Sequence, residues 1–162
     1  MPVEPIASRP RIPKDYGLPE DAPFVTWANV NERLTSALHY WITTVKPDTT
    51  PIARPIDGMW VNNAFYFGGD PDALWRRNLA ANPRASITLE DAEHAVMLEG
   101  TVTQIKPDPE LAGTLAEQAT AKYEWADQTA DDYQDFVCMF TPRVALAWDT
   151  LYKDATRFSF SD

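Results

Sequence analysis

Between Thr26 and Trp41 the apolar residues Trp27, Val30, Leu34, Leu38 and Trp41 recur at intervals of three and four in the stretch TWANVNERLTSALHYW. That spacing puts them on one face of an amphipathic helix, with Thr26 placed to cap its N-terminus. The pattern then changes. YWITTVK is rich in β-branched and aromatic residues, PDTT supplies turn chemistry, and PIARPID and GMWV continue in extended form, Pro55 marking an edge or a bulge. Asn62-Asn63 is the tight turn of a hairpin into AFYFGG, because asparagine tolerates positive φ. Asp70 and Pro71 read as N-cap and first residue of a short helix, DALWRRNLAA, which Asn82-Pro83 ends. The strands RASITLE and HAVMLEGTVTQI follow, joined at DAEH. Residues 108–125 form a second helix with Leu111, Leu115, Ala119 and Tyr123 on one face, and FVCMFTP, RVALAW and TRFSF are three closing strands. Many short strands with two or three helices predict an α+β class built on an antiparallel barrel.

Composition narrows this picture. A chain of 162 residues is expected to hold one domain, here 26–162, and 44% hydrophobic with 23% charged residues is an ordinary globular balance. Residues 1–25 read as an extended proline-rich arm lying along the surface or a partner, since six of the fourteen prolines fall in the first 23 positions. No apolar run is long enough to span a membrane and Met1 is followed by no secretory pattern, so a cytoplasmic protein without membrane contact is expected. The net charge of −10 argues against nucleic acid as a partner. Residues 107–135, with eight acidic side chains against Lys122 alone, read as a solvated helix face and loop. Cys138 is the single cysteine, inside the apolar FVCMF, and reads as an inert core thiol. His39 and His94 lack ligand spacing and Asp57 has no carboxylate partner in the pattern, so neither a metal cluster nor a paired-carboxylate site is indicated.

Against that acidity, WRRNLAANPR gathers Arg76, Arg77 and Arg84 around one short helix and a strand start. Either they flank a packing element or an anion sits there. The end of the preceding strand, Phe67-Gly68-Gly69, also suits an anion, because backbone N–H groups before a helix N-terminus are free to donate and the two glycines permit close approach; a simple turn explains the same residues equally well.

The stretch 40–105 resembles the pyridoxamine 5′-phosphate oxidase-like family of flavin- and deazaflavin-binding split barrels. The resemblance rests on TTVKPDTTPIARPI, the hairpin WVNNAFYFGG, RNLAANPRASITLE and VMLEGTVTQI taken in that order, and TPRVALAW to TRFSF is similar to one branch of the family. It implies a six-stranded split barrel that forms a homodimer, with two cofactor sites at the interface. It further implies two-electron redox chemistry by FMN, or alternatively the deazaflavin F-420, on a small-molecule substrate. A non-catalytic split barrel holding a flavin, haem or other planar ligand, and a ligand-free homodimer acting by contact, are the alternatives.

On the same resemblance Arg54, followed by Pro55, takes the position of a phosphate-binding arginine. Met59 stands where relatives keep a lysine, and Ala73, Leu74 and Trp75 stand where they keep Ser-Arg-Lys. Arg76 and Arg77 lie one and two residues past that last lysine, a rotation of about 100° or 200° on a helix. The phosphate site is thus depleted, with Arg54 as its best ligand and Arg84 structural. A hydroxyl of Thr43 or Thr44 on the first strand could reach a ring carbonyl, although strand propensity alone explains both, and Trp60 and Trp75 either stack on a cofactor or fill the core. Arg157 in TRFSF offers no Arg-x-His substrate signature, which argues against a pyridoxamine phosphate oxidase proper.

Overall fold

The computed structural model describes residues 3–161, and among them nine strands hydrogen-bond into one antiparallel sheet. They are β1 (Ile6–Ser8), β2 (Tyr40–Val45), β3 (Pro51–Ile56), β4 (Met59–Val61), β5 (Ala64–Phe67), β6 (Arg84–Thr88), β7 (Val96–Ile105), β8 (Val137–Ala147) and β9 (Thr156–Ser159). The helices are α1 (Trp27–Ser36), α2 (Leu74–Ala81), α3 (Pro109–Lys122) and the single turn α4 (Leu151–Asp154). The sheet runs β1-β9-β8-β7-β6-β2-β3, and β5, carrying β4, joins it at β8. The barrel splits along β8. Its first half, Cys138–Phe140, pairs with β5, its second half, Val144–Ala147, pairs with β9, and β7 runs along the other side of both.

FVCMFTP and RVALAW, read as two strands, are therefore one strand of 11 residues. Pro142 does not break it because a bulge absorbs the irregularity: Gly100 opposes Pro142 and Glu99 opposes Val144, leaving Arg143 as the extra residue. Gly100 is required there. A Cβ on it would lie 2.1 Å from the Thr141 carbonyl oxygen and 2.8 Å from Phe140 Cζ.

Helix α1 stops earlier than its pattern suggests. Thr26 Oγ1 accepts from Asn29 N as the cap, and Trp27, Val30 and Leu34 are buried, but Ala37 ends the helix. Leu38 is exposed and Trp41 belongs to β2, on the opposite face from the buried Tyr40, Ile42 and Thr44. Tertiary pairing overrides the helical spacing, because β2 is hydrogen-bonded on both sides, to β3 and β6. Helix α2 likewise starts later than Asp70-Pro71. The Asp70 carboxylate instead accepts from Asp72 N in a turn, and Ala73 occupies the cap position. Asn62 and Asn63 both adopt positive φ, 51° and 61°, as the hairpin requires.

Two apolar clusters sit on either side of the β4–β5 hairpin. The barrel core holds Trp27, Val30, Leu34, Tyr40, Trp60, Phe65, Phe67 and Phe140, while Met59, Val61, Ala64 and Tyr66 pack under α3 against Leu115, Ala119 and Tyr123. All four residues of β5 are consequently buried. Cys138 is buried in the barrel core. The N-terminal segment is built into the sheet, with β1 paired to β9 and Val25 N donating to Thr156 Oγ1 at 2.9 Å. No helix among the described residues is long and apolar enough to cross a membrane.

Candidate functional site

At the end of β5 the chain leaves the sheet through Phe67, Gly68 and Gly69 before α2 begins. This exit forms one wall of a cleft of about 520 Å³. The Trp75 ring stands 5.4 Å from Phe67 and covers Gly69, whose Cβ, if present, would fall 2.6 Å from the indole. Gly69 at φ 150° is thus shaped by the indole lying over it. Gly68 is open, with nothing within 4 Å of a built Cβ. The end of α3 and the segment after it add to the lining: Tyr123 stacked on Trp125 with centroids 5.3 Å apart, then Tyr133 and Phe136. Trp125 and Phe136 are 66% and 69% exposed, so the mouth of the cleft is itself aromatic. Met59 also lines the cleft and is almost wholly buried.

Of the cofactor-binding candidates singled out from the sequence, Phe67, Gly68, Gly69 and Trp75 meet in this cleft. Arg76 borders it, its guanidinium donating to the Gly69 carbonyl oxygen at 2.5 Å. Arg54 lies on the edge strand β3, two residues from Ile56, which lines the cleft. Residues directly opposite in an antiparallel pair share a face, and Ile56 opposes Tyr40 as Arg54 opposes Ile42, so both lie on the same face of the sheet. The Arg54 guanidinium donates to the neighbouring Ala53 carbonyl oxygen. Pro55 alternates to the other face, opposite Trp41. Thr44 is fully buried and its hydroxyl accepts from Asn78 Nδ2 at 3.1 Å, so the cleft does not contain it. Arg77 points to solvent, and Trp60 is a core residue whose Nε1 donates to Asn31 Oδ1.

Tyr123, Trp125, Tyr133 and Phe136 are not among the site residues expected from the sequence: Tyr123 fits the apolar face of a helix over 108–125, Phe136 opens the strand FVCMFTP, and the acidic stretch between them reads as solvated surface. Four aromatics spaced through YEWADQTADDYQDF were the available signal. Lys122 Nζ donates to Tyr40 Oη and to the Gly58 carbonyl oxygen, both at 2.9 Å, and Gly58 N donates to Tyr123 Oη. Burial pushes the Lys122 ammonium down to about 8, opposed in part by Asp57. Burial raises the Tyr123 and Tyr133 phenols above the ordinary tyrosine range. Asp57, which also lines the cleft, pairs with His39 Nδ1 at 2.9 Å.

Chemically the cleft suits a planar aromatic ring. Its volume falls in the usual range of small-molecule sites, about 300–1,000 Å³, and six aromatic side chains contribute to its lining. It fits a phosphate less well. Its lining carries the carboxylates of Asp57 and Asp132 and no arginine or lysine, which leaves Arg54 and Arg76 at its margin. No cluster of metal-ligating side chains occurs among the described residues.

Solved structures share this fold at low sequence identity. An F-420 reductase is 23% identical, with a TM-score of 0.55 over 70% of this chain and 94% of that one. A haem-binding protein from Mycobacterium smegmatis is 20% identical, with a TM-score of 0.62 over 83% of this chain and 59% of its own length. A FAD-binding protein from Mesorhizobium loti is 14% identical, with a TM-score of 0.59 over 83% of this chain and 96% of that one. No curated protein matches the sequence significantly. Residues 26–149, from the cap of α1 to the end of β8 and just beyond, match the pyridoxamine 5′-phosphate oxidase family, and this chain belongs to it.

Proposed function

We propose that the chain binds the ring of a flavin- or deazaflavin-type cofactor in the aromatic cleft and acts as an oxidoreductase on a small organic substrate. The observation that carries this reading is the meeting of Phe67 and Trp75 with Tyr123, Trp125, Tyr133 and Phe136 around one slot. Aromatic pairs contribute about 0.5–1.5 kcal/mol each beyond their area, so a ring among these side chains is held and kept from water. FMN or F-420, when bound, would supply two-electron hydride chemistry, and the protein's part is to orient and desolvate it. The neighbours on this fold are described as an F-420 reductase, a haem-binding protein and a FAD-binding protein. Arg54 and Arg76 are the cations placed to meet a phosphate at the cleft's margin. Pairing of two copies, each lending cover to the aromatic mouth, belongs to the same proposal.

A second reading, a planar ligand held without turnover, is favoured by one observation. Met59 and Trp75, where relatives keep lysines, are both buried, and the lining carries only acidic charge. The visible spectrum of the purified protein, followed by titration with FMN, F-420 and haemin under tryptophan fluorescence, tests both. Quenching by FMN or F-420, weakened about tenfold in Trp75→Leu, and turnover of the reduced complex with small organic acceptors are expected. Quenching by haemin alone, or binding without turnover, supports the second reading. A colourless protein that none of the three quenches at about 100 times a micromolar Kd overturns both.

A further inference from the structure

A second concavity, of about 800 Å³, lies on the outer face of the sheet across β2, β6, β7 and β8, and shares no lining residue with the aromatic cleft. Its chemistry is of another kind. Strand register sets Thr43 opposite Ser86 and Ser86 opposite Glu99, and one step along it sets Arg84 opposite Thr101 and Thr101 opposite Thr141. Ser161 adds a fifth hydroxyl at the rim. Arg143 enters the same groove as the extra residue of the β7–β8 bulge, a device that re-aims a side chain out of the regular ladder.

Arg84 and Arg143 are exposed, and among the described residues neither has a carboxylate within 4.0 Å, although the chain carries ten more acidic than basic charges. Among the described residues Glu99 is the one carboxylate that lines the groove. Two guanidinium forks framed by hydroxyl donors match a phosphate, whose three oxygens each accept from more than one side. The Glu99 carboxylate accepts only, so it favours hydroxyl or amine donors on the part of the ligand away from the phosphate.

We propose that this groove is a binding site for a small phosphate monoester with a hydroxylated organic part, its phosphate held between Arg84 and Arg143 and its hydroxyls directed to Glu99 and the serine and threonine rows. The proposal stands apart from the reading of the aromatic cleft and survives its failure.

Isothermal titration of the full chain at low salt with ribose 5-phosphate, ribose and inorganic phosphate tests it. Ribose 5-phosphate is expected to bind at least about tenfold more tightly than either half alone, since each half leaves one set of groove donors unused. Arg84→Ala and Arg143→Ala are each expected to weaken it about tenfold or more, Arg143→Lys less, and Glu99→Gln to narrow its margin over inorganic phosphate. Arg11→Ala, an exposed arginine outside the groove, should leave it unchanged. All substitutions are at exposed positions, and thermal melts confirm that each variant is folded. No heat from ribose 5-phosphate at millimolar concentration overturns the proposal, as does equal affinity across the variants. Sedimentation separates the competing explanation: null titrations, together with arginine variants that dissociate a wild-type dimer, would make the groove an interface between copies and refute the site.

Discussion

Replacing Gly100 with alanine tests how tightly the split of the barrel is built. The added methyl meets the Thr141 carbonyl oxygen at 2.1 Å, Phe140 Cζ at 2.8 Å and Pro142 Cα at 2.9 Å. Two of these are backbone atoms of β8, and Phe140 is fully buried, so no flexible side-chain end can swing aside. Ordinary contact for a Cβ begins about 3.4 Å away, so β7 and β8 must separate by about 1 Å at the bulge. Overpacking a formed core costs about 1–3 kcal/mol, and loosening one or two ladder hydrogen bonds adds about 1 kcal/mol each. The sum is about 2–5 kcal/mol, a large share of a typical stability of about 5–15 kcal/mol. For a chain of this size it lowers Tm by roughly 4–20 °C. Urea melts followed by tryptophan fluorescence and by far-ultraviolet circular dichroism read the change directly. A Gly100→Ala protein within about 1 kcal/mol of wild type, with unchanged m-value, would refute the argument that Arg143 is displaced by a rigid bulge rather than a pliable one.

Gly113 supplies the opposite sign. It sits inside α3 with nothing within 4 Å of a built Cβ, so Gly113→Ala is expected to stabilise by about 0.5–1 kcal/mol through helix propensity, read in the same urea melts. For Lys122, whose amine in the fold releases its proton near 8 against the ordinary lysine value of 10.5, the unfolded chain holds more protons between those values. Stability from this group therefore rises as pH climbs from about 8 towards 10, by about 1 kcal/mol after allowance for its partial exposure, and is level below 8, where both states hold the proton; Lys122→Met should lack that rise, and parallel stability–pH curves for the two proteins would contradict it. Asn78→Ala leaves the buried Thr44 hydroxyl without its donor and should cost about 1–3 kcal/mol, while a double-mutant cycle with Thr44→Val should recover part of the loss as a coupling term.

Local chemistry was legible in the sequence because a few adjacent residues decide it. The Thr26 cap, the positive φ of Asn62-Asn63, the end of α2 at Asn82-Pro83 and the strand alternation of β2 and β6 follow from interactions within about four positions. The order of those elements, together with the hairpin and the NPR strand start, was enough to point to the family. What lay beyond it was every decision in which distant segments compete. Leu38 and Trp41 fit the α1 spacing, yet pairing of β2 with both β3 and β6 takes Trp41 into a strand and leaves Leu38 outside the helix. FVCMFTP and RVALAW become one strand because β7 runs unbroken beside both, and only their register reveals the extra residue at Arg143. The cleft depends on α3 bringing Tyr123 and the acidic segment after it together with Phe67 and Trp75, more than 45 residues away along the chain. Thr44 is removed from the candidate site for the same kind of reason: Asn78, on a helix packed over β2, claims its hydroxyl. Caps and turns are settled by neighbours in sequence, whereas clefts, bulges and buried partners are settled by which apolar faces the whole chain can cover at once.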